Sequence, residues 1–310
     1  GVVLPHEFTR PGPKVDRLEL MRSAKANYSP LMVLYRDSNS AVASVMQRAM
    51  AGDAIADAAP EGLPSMRLWR ITDAADIENV TSALADTQLY LADGHHRYET
   101  AITYRDEVRE TRTVGTDDAV NFRLMTLISV DDPGLLLLGY HRQLEDASDD
   151  ELARFREYVT GAFDLEDKGP IDPSSAAEFE QALNEVPQDK VTIGFAGVEP
   201  GRLQIGVMRN PAAATDELAA SDYTRLHDEV VRSTFSLERE QVVVAFEHNA
   251  AAVLRSVSGG AAQVGFVMRA VPIEPFENIV KRGQRLPSKS TYFHPKLHTG
   301  AVIQNLEGGL

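Results

Sequence analysis

The segment LADGHHRYETA, residues 91–101, packs an unusual amount of chemistry into one turn. An apolar run ends in Asp93-Gly94, two histidines and an arginine follow, and the pattern then becomes helical. A strand that runs through Asp-Gly straight into a helix presents backbone N–H groups at the positive end of the helix dipole, which suits an anion. Gly94 permits a sharp turn and close approach of the backbone to a ligand. Arg97 offers a planar fork for phosphate oxygens. His95 and His96 can donate hydrogen bonds, accept a proton or bind a metal. Asp93 can hold Mg²⁺, which usually takes one or two carboxylates plus substrate phosphates. Thr100 belongs to the same phosphate-binding set, and Asp93 and His96 are the candidate catalytic groups of the turn. A capping turn with surface histidines is the plain alternative. Zinc fits less well, because adjacent histidines point apart on a helix and the chain has no cysteine.

Two further blocks carry chemistry. PHEFTRPGPKVDR, residues 5–17, holds Glu7, Lys14 and Arg17, and its Pro5, Pro11, Gly12 and Pro13 predict a shaped loop rather than a helix. Glu7 can act as general base for a hydroxyl, and Lys14 or Arg17 can neutralise phosphate charge. PSKSTYFHPK, residues 287–296, offers Lys289, Ser290 and Thr291 to phosphate, but lacks the glycines of a Walker motif. His141, His227, His248 and His298 stand alone and read as structural, and Trp69 as core.

The elements that must position these groups alternate irregularly. PLMVLYRD (30–37), MRLWRIT (66–72), QLYLAD (88–93) and FRLMTLISV (122–130) read as strands, separated by helices. Ser148 with Glu151 and Ser175 with Glu178 have capping-box spacing, each ahead of an amphipathic helix. KVTIGFAG and GRLQIGVMRN form a hairpin pattern across VEPG. After the linker-like NPAAATDELAASD, helices (TRLHDEVVRSTF, NAAAVLRSVSGG, PFENIVKRG) alternate with strands (QVVVAFEH, AAQVGFVMRAV), and GAVIQNL closes the chain as a strand. This predicts an α/β or α+β protein with mixed sheets. Its parts are 1–145 around the phosphate turn, an acidic α/β elaboration over 146–215, and 216–310 completing the site.

The net charge of −15 over 310 residues weighs against nucleic acid as main partner, because a phosphate backbone needs a basic face. The absence of cysteine excludes disulfides, thiolate metal sites and a cysteine nucleophile. No apolar stretch approaches the roughly 18 residues of a membrane span, and no signal peptide is legible, so a cytoplasmic protein is expected. The start, GVVLPHEFT, reads as mid-domain sequence, which leads us to expect residues upstream of it.

Together, LADGHHRYETA, the block LPHEFTRPGPKVDRLELMRSAKANYSPLMVLYRD and the block LPSKSTYFHPKLHTGAVI resemble domain-of-unknown-function family 1015 (DUF1015). The Asp-Gly-His-His-Arg turn is also similar to the phosphate-binding turn of the ParB/sulfiredoxin-like fold, whose members include free-serine kinases, CTP-hydrolysing partition proteins and sulfiredoxins. That resemblance implies a ParB/sulfiredoxin-like element around the turn. The expected function is a nucleotide-dependent phosphotransferase acting on a small hydroxylated metabolite, with Mg²⁺ and a nucleoside di- or triphosphate. A nucleotide-binding switch and a metal-dependent hydrolase built on Asp93, His95 and His96 are the alternatives. The three blocks are expected to border one cleft.

Overall fold

The computed structural model describes residues 3–9, 12–61 and 65–309 of a mixed α/β protein. The chain forms two compact units. One is drawn from Gly1–Pro5, Arg10–Leu135 and Leu297–Leu310, the other from His6–Thr9 and Leu136–Lys296.

The first unit contains β1 (Val3–Pro5), α1 (Gly12–Ala24), β2 (Ala26–Asn27), β3 (Leu31–Tyr35), α2 (Ala41–Met50), β4 (Ala56–Ala58), β5 (Met66–Leu68), α3 (Ala74–Ala85), β6 (Leu89–Asp93), α4 (His95–Thr111) and β7 (Met125–Ser129). Its main sheet has the order β1-β6-β3-β7. β3 runs antiparallel to β6 and parallel to β7, and all five of its residues are buried. A continuous apolar run with water on neither face suits a central strand. α1 packs on α4 through Leu18, Met21, Ala101, Tyr104 and Val108, joined by Val120 and Leu306. The closing strand is only Gln304–Asn305, paired with β2.

Several local expectations need correction. The proline-rich block is irregular only over His6–Thr9 and is helical from Gly12, so Lys14 and Arg17 lie on α1; Arg10 and Pro11 lie outside the described residues. Pro13 is compatible with the helix because first-turn N–H groups have no intrahelical partner to lose. α2 is capped by Asp37, whose carboxylate accepts from the Val42 and Ala43 N–H groups, while Ser40 makes no side-chain cap. Trp69 is only half buried, its indole N–H donating to the Gly52 carbonyl.

The second unit contains β8 (Leu136–Leu138), β9 (His141–Leu144), α5 (Asp149–Ala162), β10 (Phe163–Pro170), α6 (Ala176–Glu185), β11 (Thr192–Ala196), β12 (Arg202–Met208), α7 (Glu217–Ala220), α8 (Asp222–Arg225), α9 (Leu237–Val243), β13 (Val244–Glu247), α10 (Ala250–Ser258), β14 (Val264–Val267), α11 (Ile273–Lys281) and β15 (Tyr292–His294). Its six-stranded sheet, β10-β12-β11-β14-β9-β13, is antiparallel throughout. Residues 146–215 contribute β10, β11 and β12 to this sheet: β11 and β12 form the hairpin across VEPG, and β11 then pairs with β14. Phe155, Phe163, Phe195 and Phe266 meet edge-to-face in its core. Ser148 and Glu151 form the full capping box of α5. Ser175 does not cap α6; its hydroxyl donates to the Asp172 carbonyl, and a 3₁₀ turn over Pro173–Ser175 leads into the helix. QVVVAFEH divides, its first half completing α9 and the rest forming β13.

Candidate functional site

In the first unit, β6 ends at Asp93, which lies opposite Met32 of β3, and α4 begins two residues later. Gly94 makes the change of direction at φ +99°, in the left-handed region. A β-carbon there would lie 2.8 Å from Leu31 Cδ2 and 2.9 Å from Arg97 Nε, so glycine is required by both conformation and space. The Gly94 N–H donates to Asp93 Oδ1 at 2.9 Å, and the helix opens with Tyr98 N–H bonded to the Gly94 carbonyl. His95 is buried and His96 half-buried. Arg97 lies 3.5 Å from Asp93 Oδ2. Burial lowers the Arg97 pKa, Asp93 opposes that shift, and the nearby Arg17 reinforces it. Thr100, one turn on, is buried with its hydroxyl unpartnered.

Arg123 is the residue that the sequence reading missed. It lies two residues before β7, whose Met125 pairs with Leu31. The β6 carboxyl end and the β7 amino end therefore share one edge of the sheet, with only β3 between them. Arg123 Nη2 donates to the Ser29 carbonyl at 2.7 Å, while Nε and Nη1 are buried without partners. Burial pulls its pKa down to about 10, and the Arg97 charge adds to the effect. No local pattern marks it, because an arginine at a strand start is ordinary until tertiary pairing sets it near another arginine.

The remaining candidates are distributed between the units. Lys14 on α1 forms an ion pair with Glu99 on α4. Glu7, Lys289, Ser290 and Thr291 belong to the second unit. There, His6 Nε2 is 2.8 Å from the Thr291 hydroxyl and 3.6 Å from Glu7 Oε1. Ser290 is buried and donates to the Pro287 carbonyl, while exposed Lys289 lies over the Tyr140 ring.

Buried Arg142 organises the neighbouring segment. Its guanidinium donates to the Ser288 carbonyl at 3.0 Å, to the Tyr140 carbonyl, and to His227 Nε2 at 3.3 Å. His227 Nδ1 in turn bonds Glu240. His227 is thus part of a buried network, carried on a π-helical turn over Leu226–Val231. His141 is buried too, accepting from the Met268 N–H.

Comparison with known proteins adds a family. The model for DUF1015, described as a protein of unknown function, matches residues 1–214. The chain belongs to the DUF1015 family. Among curated proteins none matches. Similar solved structures include a conserved hypothetical protein from Pyrococcus furiosus, at 12% identity and TM-score 0.45, covering 96% of this chain and 90% of that one. A free serine kinase, as a point mutant in complex with ADP, is similar at 10% identity and TM-score 0.46, covering 94% and 84%. SbnI with a C-terminal truncation, from Staphylococcus aureus, is similar at 10% identity and TM-score 0.44, covering 99% and 84%.

In this member of the DUF1015 family, no group of three or more His, Asp or Glu side chains among the described residues is arranged to hold a metal ion. That geometry gives no support to a hydrolase built on Asp93, His95 and His96. A single carboxylate such as Asp93 still fits Mg²⁺, which draws its other ligands from phosphate and water. No helix of the described residues is long and apolar enough to cross a membrane.

Proposed function

We propose that this protein is a nucleotide-dependent phosphotransferase acting on a small hydroxylated metabolite, and that its first unit holds the phosphate. The observation that carries this reading is the turn itself: a left-handed glycine between a strand end and a helix start, with the half-buried guanidinium of Arg97 folded over it. A positively charged group drawn out of water at a helix start is costly unless an anion joins it. The Arg97 fork stabilises charge on phosphoryl oxygens, and the helix dipole adds to it. His95 and His96 are the further donors proposed for those oxygens, with Thr100 beside them. Asp93 is the residue that would hold Mg²⁺, which when bound neutralises phosphate charge. Lys14, Arg17, Lys289, Ser290 and Thr291 are the remaining phosphate-binding candidates. Glu7 is the proposed acceptor of the substrate hydroxyl proton. Phosphoryl transfer depends mainly on positioning and charge stabilisation, and within the first unit the helix start and Arg97 can supply both.

The test is calorimetry with ATP, ADP and CTP, each with and without Mg²⁺, followed by a turnover screen over small hydroxyl compounds. Binding of at least one nucleotide with turnover supports a phosphotransferase. Binding with slow hydrolysis and no acceptor would favour a nucleotide switch. Failure of all three nucleotides to bind would overturn the phosphate reading.

A further inference from the structure

The sheet edge that presents the phosphate turn also presents a second guanidinium. β6 delivers Asp93, Gly94 and, through the start of α4, Arg97. β7 starts at the same edge and is preceded by Arg123. With β3 between them, β6 and β7 lie two strand spacings apart, roughly 10 Å, a gap that two arginine side chains can close. The two are near enough for the charge of Arg97 to bear on Arg123.

This arrangement costs stability in isolation. Two like charges are held together and partly dehydrated, and Arg123 uses only Nη2, on the Ser29 carbonyl. Its Nε and Nη1, on opposite sides of the guanidinium, are buried and unpartnered. Among the described residues Arg123 forms no ion pair, whereas Arg97 has Asp93. A buried donor left unmade costs free energy, so a site that retains two such donors is built for an acceptor that arrives from outside. One phosphoryl group suffices for Arg97 and the helix start. A second guanidinium on the next-but-one strand calls for a second anionic group.

We propose that Arg123 and Arg97 form a double clamp for a ligand carrying two adjacent phosphoryl groups, with Arg123 selecting diphosphate over monophosphate. This rests on the phosphate reading of the turn and narrows it. The shared ligand chemistry is a diphosphate, supplied either as inorganic diphosphate or as the terminal groups of a nucleotide.

The experiment measures affinity for orthophosphate, inorganic diphosphate, AMP and ADP on the full chain, for wild type, Arg123→Gln and Arg123→Lys. Wild type should prefer diphosphate to orthophosphate, and ADP to AMP, by about tenfold or more. Arg123→Gln should erase that preference while still binding orthophosphate, and its melting temperature without ligand should equal or exceed that of wild type. A guanidinium with a purely structural role would instead lower the melting temperature and leave the preference intact. If the glutamine variant does not fold, Arg123→Lys carries the test, since lysine keeps the charge but loses the planar guanidinium with its separate donors. Loss of the diphosphate preference in that variant supports the clamp, and an unchanged preference overturns it. Wild type that binds phosphates without distinguishing mono- from diphosphate overturns the clamp alone. Wild type that binds none of the four overturns the clamp and the phosphate reading together. ADP bound much more tightly than inorganic diphosphate identifies the nucleotide as the source, and equal affinity identifies the diphosphate group itself.

Discussion

Arg97 folds back over Gly94, with its Nε 2.9 Å and its Nη2 3.0 Å from the position a β-carbon would take on residue 94. The guanidinium and the missing side chain are therefore one device. The turn can carry an arginine in this position only because residue 94 is bare.

Gly94→Ala should consequently damage both fold and binding. A left-handed alanine costs roughly 1–2 kcal/mol, and the added carbon must also displace Leu31 or Arg97. We expect a loss of stability of at least that size in denaturant titration. Phosphate affinity, measured at a temperature where the variant is folded, should fall about tenfold, as for loss of one charged hydrogen bond. A variant with wild-type stability would contradict the strained-turn account.

Arg97→Ala should separate the two effects. Its ion pair with Asp93 is partly exposed and spans 3.5 Å, so its removal should cost at most about 1 kcal/mol of stability. A charged hydrogen bond to phosphate is worth roughly 1.5–3 kcal/mol, so nucleotide affinity should drop about tenfold to a hundredfold. Paired calorimetry and thermal melts check this.

Glu7→Gln should lower kcat by about a hundredfold or more, the range for loss of a positioned general base, and leave nucleotide affinity within about twofold. The amide preserves the size of the side chain beside His6 while removing its basicity. Single-turnover kinetics together with equilibrium binding distinguishes this from a structural role, in which affinity would fall in parallel.

His227 should make stability depend on pH. Its Nε2 accepts from Arg142 Nε–H, so protonation would set two donors against each other. Burial holds its pKa below the ordinary 6.5; Glu240 pulls the other way, and Arg142 and Arg232 add to the lowering. Below pH 6.5 the unfolded chain takes up a proton that the folded chain resists, so stability is present above that pH and is lost as pH falls below it. Burial pushes Glu240 up, but His227 and Arg232 outweigh it and hold it below 4.5, so its own contribution disappears only at lower pH. Melting curves between about pH 7 and 5.5 should decline in wild type and be flatter in His227→Gln. Parallel curves would remove His227 from this role.

The geometry of the Asp93–Arg97 turn, a strand end running through glycine into a helix, was legible in the sequence because all of its parts are local. Asp93, Gly94, the two histidines and Arg97 lie within one strand end and one helix start, and backbone geometry alone relates them. The hairpin across VEPG and the Ser148 capping box were legible for the same reason. Pro13 misled because a proline disfavours a helix interior yet suits a first turn, and only the chain's actual path shows which it occupies. Trp69 misled because apolarity predicts burial only on average. Tertiary structure alone decided that 146–215 shares a sheet with β14 and β9, that His6 meets Thr291 across 285 residues, and that Arg123 lies near Arg97. Strand order and register are set by which apolar faces bury together over long sequence separations, and no short pattern records that choice.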